Sequence, residues 1–395
     1  HAQTRAAVPR PGATLGFRPG TAGRVASADD IERYFRAVAD ASDRVAIVDL
    51  GPTTEGHRTI AAIVSAAANI RRLEEIRVAN QRLADPRTLS DDEARRLARD
   101  HKTVIAIGGS VHAHEIGATL TSVELLYSLA SADDDATTRQ LDRSVVVLIP
   151  MLNPDGHRRV VEWYAKNLGT TFEGGPMPWL DHPYAGHDVN RDGFMMNLAE
   201  SRNLSRFFYQ QWHPQVFLSM HEMESGGARF FTPPVADPVQ PNVDPVAWRE
   251  AALLGSAMAL ELERDHHAGV VSSTSFDYYS PGYEDSAPLG HNTVCLLTEA
   301  ARVNVATSIV EPPRHDGASV TAPHPWPGGP WALGDIVEYE TSAVRGLLRA
   351  VDAYHDDLVW NFYEMGKRAI DAGKTTAPFA YIIPPDRKST RLNSS

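Results

Sequence analysis

Short runs of consecutive apolar residues alternate along this chain with longer amphipathic segments. The runs around Val104, Val145, Val216 and Val294 are apolar at successive positions, which is typical of central strands covered on both faces of a sheet. Further strands are predicted over 44–50 and 59–65, and helices over 31–41, 71–83, 116–130, 201–212, 247–265 and 342–354. This alternation predicts an α/β fold with a central mixed sheet and helices on both sides.

Two helix starts carry capping signals. Ser27 followed by Asp30 predicts the first turn of the helix over 31–41, and Ser90 with Glu93 predicts a capping box for a helix that ends near residue 100. Three stretches rich in proline and glycine, 169–186, 232–245 and 310–330, are predicted to be loops that shape a binding cleft.

Composition restricts the class of partner. The formal charge is −12 and there are no basic runs, which argues against nucleic acid or an anionic membrane surface. No apolar run approaches the roughly 20 residues that a membrane helix needs, so membrane insertion is not expected. A small substrate or a peptide fits better. The single cysteine, Cys295, is expected in the core, and nothing in the composition indicates an oligomeric state.

Both ends of the sequence suggest processing or truncation. The start His-Ala-Gln resembles what remains after removal of a signal peptide, which favours a secreted or periplasmic protein. We therefore expect a tail over 1–26, a catalytic domain over 27–355, and a C-terminal helix over 356–385 that leads into a missing domain, with 379–383 as its first strand. Residues 386–395 resemble a translated sequencing adapter and are excluded from fold predictions.

Polar residues suited to a metal site follow or end three of the central strands. His112 and Glu115 follow the strand at 104–108, His221 follows the run at 216–220, and Glu299 ends the strand that begins at 293. A catalytic zinc takes three imidazole or carboxylate ligands and leaves one position open for water, and His112, Glu115 and His221 supply that set. Glu299 is then the candidate general base and acid.

A polar cluster between the first and second of these strands offers supporting groups. Asp188 is suited to accept the second N–H of His112 and so fix its tautomer. Arg191 offers a planar fork for a carboxylate, with Asn190 beside it. The simpler alternatives are that Arg191 pairs internally with Asp188 or Asp192, and that Glu299 is a buried glutamate held by Arg302.

In this order the motifs resemble those of the zinc carboxypeptidases of the pancreatic A and B type, and the N-terminal portion is similar to their large bacterial members. The H-x-x-E motif is His112 with Glu115, the N-P-D-G motif spans 153–156, and the D-x-N-R block is Asp188, Asn190 and Arg191. The N-P-D-G residues themselves predict a turn that Asp155 braces. The resemblance covers about residues 27–350. It implies an eight-stranded, largely parallel sheet, zinc on His112, Glu115 and His221, and hydrolysis of C-terminal peptide bonds. It also implies that Asn190 and Arg191 bind the terminal carboxylate of a peptide or protein.

The chain departs from the family pattern at two places, and a third family residue has more than one candidate match. His114 stands where the family has an arginine between the ligands, and the arginine that stabilises the oxyanion has no clear match: Lys166 lies nearest, whereas Arg158 and Arg159 come too early. The family's mobile tyrosine corresponds to Tyr278, Tyr279 or Tyr283, and Tyr279 is preferred.

Two other functions remain compatible with the same residues. One is a zinc amidase or deacylase that acts on N-acyl amino acids or peptidoglycan stem peptides. The other is a non-catalytic homologue that binds peptide or glycan, although binding alone does not require Glu299.

Overall fold

The computed structural model describes residues 7–180, 182–224, 227–314 and 317–382. Eight strands form one mixed sheet: β1 (Val45–Pro52), β2 (Arg58–Val64), β3 (Thr103–Gly109), β4 (Ser144–Ile149), β5 (Val216–Met223), β6 (Phe230–Phe231), β7 (Val270–Val271) and β8 (Val294–Ala301). They lie in the order β1-β2-β4-β3-β5-β8-β6-β7. Two short strands, β9 (Ile309–Glu311) and β10 (Gly329–Trp331), form a separate antiparallel pair.

The four middle strands, β4, β3, β5 and β8, run parallel to one another. β1 and β2 continue the sheet in antiparallel fashion on one side, and β6 pairs antiparallel with β8 on the other. The middle strands are buried at nearly every position because both faces are covered, which explains their unbroken apolar runs. The predicted mixed, largely parallel eight-stranded sheet is confirmed.

Helices cover both faces of this sheet. They are α1 (Pro11–Leu15), α2 (Ala28–Ala41), α3 (Ala67–Ile70), α4 (Leu73–Ala84), α5 (Asp91–Asp100), α6 (Ile116–Ser131), α7 (Asp135–Arg143), α8 (Pro154–Asn167), α9 (Ala199–Arg206), α10 (Pro245–Arg264), α11 (Leu333–Ala353) and α12 (His355–Thr375). Successive strand residues face opposite sides. Ile105 of β3 packs in a core with α6 and α11, whereas Val104 packs in a second core with α9.

The two predicted caps are present. Ser27 forms a capping box with Asp30 at the start of α2, and Ser90 forms one with Glu93 at the start of α5. Each box satisfies backbone N–H groups of the first turn that have no partner within the helix.

Several helices differ from the sequence prediction, including the short α1 and α3, which were not predicted. Residues 154–156 were expected to form a turn, but they begin α8, with Pro154 at its first turn and Asn153 accepting the amide of Gly156 at 2.9 Å. The polar helix α7 was not predicted. The helix expected over 201–212 begins at Ala199 and changes at Phe207 to a π-helix that ends at Trp212, and α11 begins nine residues earlier than expected, at Leu333 rather than residue 342.

The C-terminal part of the described chain is helical, as expected, through α12. Residues 377–382 form neither helix nor strand, and the remainder of the predicted strand and the adapter-like segment 386–395 lie outside the described residues. Cys295 is buried in β8. Within the described ranges no helix has both the length and the apolar character needed to cross a membrane.

Candidate metal centre

The parallel middle strands bring the predicted metal ligands to one edge of the sheet. His112 and Glu115 lie in the loop that joins β3 to α6, and His221 lies near the end of β5. Glu299 of β8 pairs directly in register with His221. Because the carboxyl ends of parallel strands meet at the same edge, residues far apart in sequence converge there.

A tight turn after β3 positions the first two ligands. A Cβ atom at Gly109 would lie 2.7 Å from the Cβ of Ala118, so only glycine permits α6 to approach the strand this closely. Ser110 adopts a positive φ of 53° and its hydroxyl donates to the carbonyl of Glu115 at 2.7 Å. The Glu115 amide donates to the carbonyl of His112 at 3.0 Å. These contacts fold the loop so that both side chains face the same point.

The three side chains present their ligand atoms to one another. Nδ1 of His112 lies 2.8 Å from Oε1 of Glu115, and Nδ1 of His221 lies 3.1 Å from Oε2 of the same carboxylate. The two Nδ1 atoms are 3.3 Å apart. Ligands at zinc-like distances of ~2.05 Å in a tetrahedron lie about 3.3 Å from each other. Oε2 of Glu115 is buried and accepts no hydrogen bond from the described residues. This spacing fits a shared cation.

The outer nitrogen of each imidazole has its own polar partner. Nε2 of His112 lies 3.2 Å from Oδ2 of Asp188, and Nε2 of His221 lies 2.9 Å from the hydroxyl of Ser219. An N–H on Nε2 of His112 donates to the carboxylate and leaves the Nδ1 lone pair facing inward, as a metal ligand requires. Asp188 therefore lies where it can orient the ring of His112, as its place in the sequence suggested.

The electrostatics of the three ligands also suit a cation. Burial alone would lower the pKa of His112 and of His221, but the Glu115 carboxylate between them raises the pKa of both rings. Burial alone would raise the pKa of Glu115, yet the two imidazoles hold it below its usual range. The anionic carboxylate thus attracts positive charge, which protons supply in the metal-free protein and a metal ion supplies otherwise.

Glu299 lies next to these ligands and is 9% exposed. Burial, together with the nearby Glu115 carboxylate, raises its pKa well above the usual range, although the two histidines act in the opposite direction. Arg302, which would neutralise Glu299 under the simpler alternative, instead forms an ion pair with Glu224 at 2.5 Å. The geometry leaves Glu299 available to exchange a proton at the edge of the ligand cluster.

Asn190 and Arg191 lie in a single turn that begins at Asp188. Asn190 is buried, and its Oδ1 accepts the amide of Glu284 at 2.9 Å. The Arg191 guanidinium packs over the ring of Tyr283 at 4.3 Å and lies 3.7 Å from Asp188, with 47% of its side chain exposed. The internal pair with Asp188 is therefore present but loose, and the guanidinium still faces solvent.

The three candidate tyrosines lie in different environments. Tyr279 is 56% exposed, Tyr278 is buried, and Tyr283 supports Arg191. The structure thus brings Tyr283 to the arginine, whereas the role of Tyr279 stays a prediction.

The cations considered for the oxyanion have partners of their own. Arg158 pairs with Asp29 at 2.5 Å, Arg159 pairs with Glu55, and Lys166 lies over the ring of Trp163 at 6.0 Å. None of these contacts places Arg158, Arg159 or Lys166 against a metal ligand.

Two buried carboxylates near this site were not recognised in the sequence. Oδ2 of Asp285 lies 3.9 Å from Nε2 of His221, and the amide of Glu284 is bound to Asn190. Among the described residues, Oδ1 of Asp285 and Oε1 of Glu284 have no hydrogen-bond partner. Burial raises the pKa of Glu284 to about 7. Both residues lie in an irregular loop, where no periodic pattern marks them.

A second group of possible ligands, Glu55, His57 and Asp155, has a structural explanation. Asp155 accepts hydrogen bonds from the hydroxyl of Thr53 at 2.7 Å and from the amide of Glu55 at 2.9 Å, and it contacts Nδ1 of His57 at 2.7 Å. The carboxylate therefore braces the β1–β2 turn, in line with the bracing role expected for it.

The fold is similar to those of solved metallocarboxypeptidases. A metallo-carboxypeptidase from Burkholderia cenocepacia is 14% identical with a TM-score of 0.52, and the match covers 82% of this chain and 69% of that one. A metallo-carboxypeptidase from Pseudomonas aeruginosa, solved in complex with (2-guanidinoethylmercapto)succinic acid, is 14% identical with a TM-score of 0.51, covering 84% and 70%. The carboxypeptidase A from Helicoverpa armigera is 13% identical with a TM-score of 0.50, covering 84% and 74%. At these identities the likeness shows a shared fold.

A search of curated protein sequences found no match. The sequence model of the zinc carboxypeptidase family, in contrast, matches residues 31–228. That range is half of the chain and contains His112, Glu115, Asn190, Arg191 and His221. This chain therefore belongs to the zinc carboxypeptidase family.

Proposed function

We propose that this protein is a zinc-dependent carboxypeptidase that hydrolyses the C-terminal peptide bond of its substrate. The observation that carries the proposal is the convergence of His112, Glu115 and His221, with two Nδ1 atoms 3.3 Å apart beside the buried carboxylate of Glu299. A binding site alone would not need that carboxylate.

His112, Glu115 and His221 would hold the zinc ion, because their ligand atoms already have the required spacing and Glu115 keeps an oxygen without a hydrogen bond. A zinc ion bound there supplies Lewis acidity to a carbonyl group and increases the acidity of water. Asp188 holds the tautomer of His112 that leaves Nδ1 free. Glu299 accepts the proton of the attacking water and passes it to the leaving amine.

Arg191 and Asn190 account for the choice of the last peptide bond. A half-exposed guanidinium can form two parallel hydrogen bonds with a carboxylate, and the ring of Tyr283 packs against the guanidinium of Arg191 at 4.3 Å. A free C-terminal carboxylate bound at Arg191 fixes the distance from the end of the peptide to the metal. Internal peptide bonds and amidated C-termini lack this contact.

The buried carboxylates of Glu284 and Asp285 favour a basic side chain at the C-terminus of the substrate. Each has an oxygen without a hydrogen-bond partner in the described part of the chain, and Glu284 adjoins Asn190. A lysine or arginine side chain would supply hydrogen-bond donors to these oxygens. Its positive charge would oppose the effect of burial, which raises the pKa of Glu284.

The proposal is tested by release of amino acids from a mixed peptide library, measured with and without a zinc chelator. We expect chelator-sensitive release from free but not amidated C-termini, with lysine and arginine released fastest. Glu299→Gln should lower kcat by about 10²- to 10⁴-fold with zinc content unchanged. Glu338→Gln, an exposed glutamate on α11, is the control and should keep full activity.

Two results would contradict the proposal. Normal release by Glu299→Gln with zinc bound would remove that residue from the reaction. Hydrolysis of N-acyl amino acids without release from peptides would favour the amidase alternative.

A further inference from the structure

A cavity of about 410 Å³ lies beside the candidate metal centre and belongs to no part of the site described above. Its walls are mainly apolar and aromatic and include Trp163, Pro176, Met177 and Trp179, together with the polar side chains of His114 and Arg302. A volume of this size is within the range of small-molecule and side-chain pockets.

The aromatic wall is built by two tryptophans from different segments. Trp163 of α8 and Trp179 of the following loop meet edge to face, with ring centres 5.4 Å apart and planes at 75°. The indole N–H of Trp163 donates to the carbonyl of Gly175 at 3.2 Å. Because that N–H has a partner within the wall, Trp163 can offer its ring rather than its polar group to a ligand.

The loop that carries Trp179 is fixed against the segment after β8. A Cβ atom at Gly174 would lie 2.7 Å from the Cβ of Asn304, so the two backbones are in close contact. The hydroxyl of Thr307 contacts both Tyr164 of α8, at 2.9 Å, and Glu173, at 2.8 Å. The cavity is therefore a formed site between three segments.

The cavity adjoins the metal ligands through His114. His114 lines it, and its ring stacks 6.2 Å from that of the ligand His112. Arg302, also in its lining, follows Glu299 by three residues. No residue of 188–191 or 283–285 lines the cavity. A peptide with its terminal carboxylate at Arg191 and its scissile bond at the metal would thus extend its N-terminal portion towards His114.

We propose that this cavity binds a bulky aromatic side chain from the part of the substrate that lies N-terminal to the scissile bond. The inference rests on the proposed function for the direction of the peptide. Edge-to-face packing on the two indoles, with Pro176 and Met177 alongside, suits a phenylalanine, tyrosine or tryptophan side chain.

The test compares peptides that share one C-terminal residue and carry phenylalanine or alanine at the penultimate position, with a second series one position earlier. We expect kcat/KM to be about tenfold higher for the aromatic peptide in at least one series. Trp179→Ala should lower kcat/KM for the aromatic peptide and so reduce the ratio between the two peptides to about one. Trp179 is 47% exposed, so its removal should not prevent folding.

The matched control is Phe172→Ala, which removes a 68% exposed aromatic side chain from the same loop but outside the cavity lining. It should retain the full preference, and Trp179→Phe should restore part of it. Equal kcat/KM for both peptides in both series, in an active enzyme, overturns the inference while the proposed function stands.

Binding gives a readout that does not depend on turnover. In the Glu299→Gln background, calorimetry should show about tenfold tighter binding of the aromatic peptide, and this difference should disappear when Trp179→Ala is added. If the parent protein releases no amino acids, the proposed function fails, and the calorimetric comparison alone decides whether the cavity binds aromatic side chains. Equal affinities there overturn the inference.

Discussion

At the scale of single residues, the candidate site depends on which nitrogen of each histidine faces inward. His112 and His221 both direct Nδ1 to the shared carboxylate of Glu115 and bind a neighbour through Nε2. The group within hydrogen-bond distance of Nε2 is a carboxylate for His112 and a hydroxyl for His221, with the Asp285 carboxylate farther away at 3.9 Å. The negative charge of Asp188 should therefore make His112 the more basic ligand.

This difference gives the first prediction. Asp188→Asn should weaken zinc binding by about 10- to 100-fold, because it removes the charge that orients and polarises the His112 ring. Competition with a chromophoric chelator measures the affinity directly. Asp133→Asn, at an exposed position after α6, is the control and should bind zinc as the parent does. An unchanged affinity for Asp188→Asn would show that the contact with His112 does not support the metal.

The sequence predicted the candidate ligands because their residue types, order and strand-end positions all pointed to one site. Glu284 and Asp285 were missed for the opposite reason: their loop has no period, and only the fold shows that it passes beneath Asn190 and His221. Tyr283 was one of three candidate tyrosines, of which Tyr279 was preferred, and only the fold shows that its ring lies against Arg191. Chain folding, rather than local pattern, decides such contacts.

At the scale of helices and strands, prediction succeeded where burial was uniform. The middle strands were recognised because both faces are covered, so every position is apolar. The start of α8 was misread because Asn153 and Pro154 are as common in turns as at the first turn of a helix. The helix α7 was missed since it is short and polar, with Leu141 as its one buried residue.

A buried glutamate joins two of the C-terminal helices. Glu250 of α10 accepts a hydrogen bond from Asn361 of α12 at 2.8 Å, while its second oxygen has no partner among the described residues. Burial raises the pKa of Glu250 to about 7. The hydrogen bond from Asn361 lowers this pKa, whereas the nearby carboxylates of Asp357 and Asp244 raise it further. The carboxyl is thus favoured in its neutral form in the folded protein.

The stability that this group contributes should depend on pH. Its pKa is higher in the folded than in the unfolded chain, so its contribution is complete below about pH 4.5 and is lost as pH rises through about 7. Glu250→Gln should therefore gain stability over the parent between these values, by on the order of 2–3 kcal/mol at pH 8. Urea unfolding at pH 5, 6, 7 and 8 measures it.

The exposed Glu338→Gln provides the comparison, because it removes a carboxyl group that is not buried. A constant difference between Glu250→Gln and the parent would mean that the Glu250 carboxyl titrates normally in the folded protein.

At the scale of the whole molecule, a metal ion would connect segments that are far apart in sequence. The loop before α6, the end of β5 and the turn at 188–191 meet at the ligand cluster. A ligand that binds only the folded state stabilises it in proportion to RT ln(1 + [L]/Kd). Zinc should therefore raise the melting temperature of the metal-free protein, and His221→Ala should remove most of that increase.

Zinc affinity should also depend on pH in a direction that follows from the ligand cluster. The Glu115 carboxylate raises the pKa of both His112 and His221 in the metal-free protein, despite their burial. Zinc must displace these protons, so its affinity should keep rising above pH 6.5, where ordinary histidines are already neutral. Chelator competition at pH 6, 7 and 8, together with the protons released on binding, measures this effect. An affinity that is constant above pH 6.5 would mean that the two rings are neutral before zinc arrives, and that Glu115 does not hold positive charge at the site.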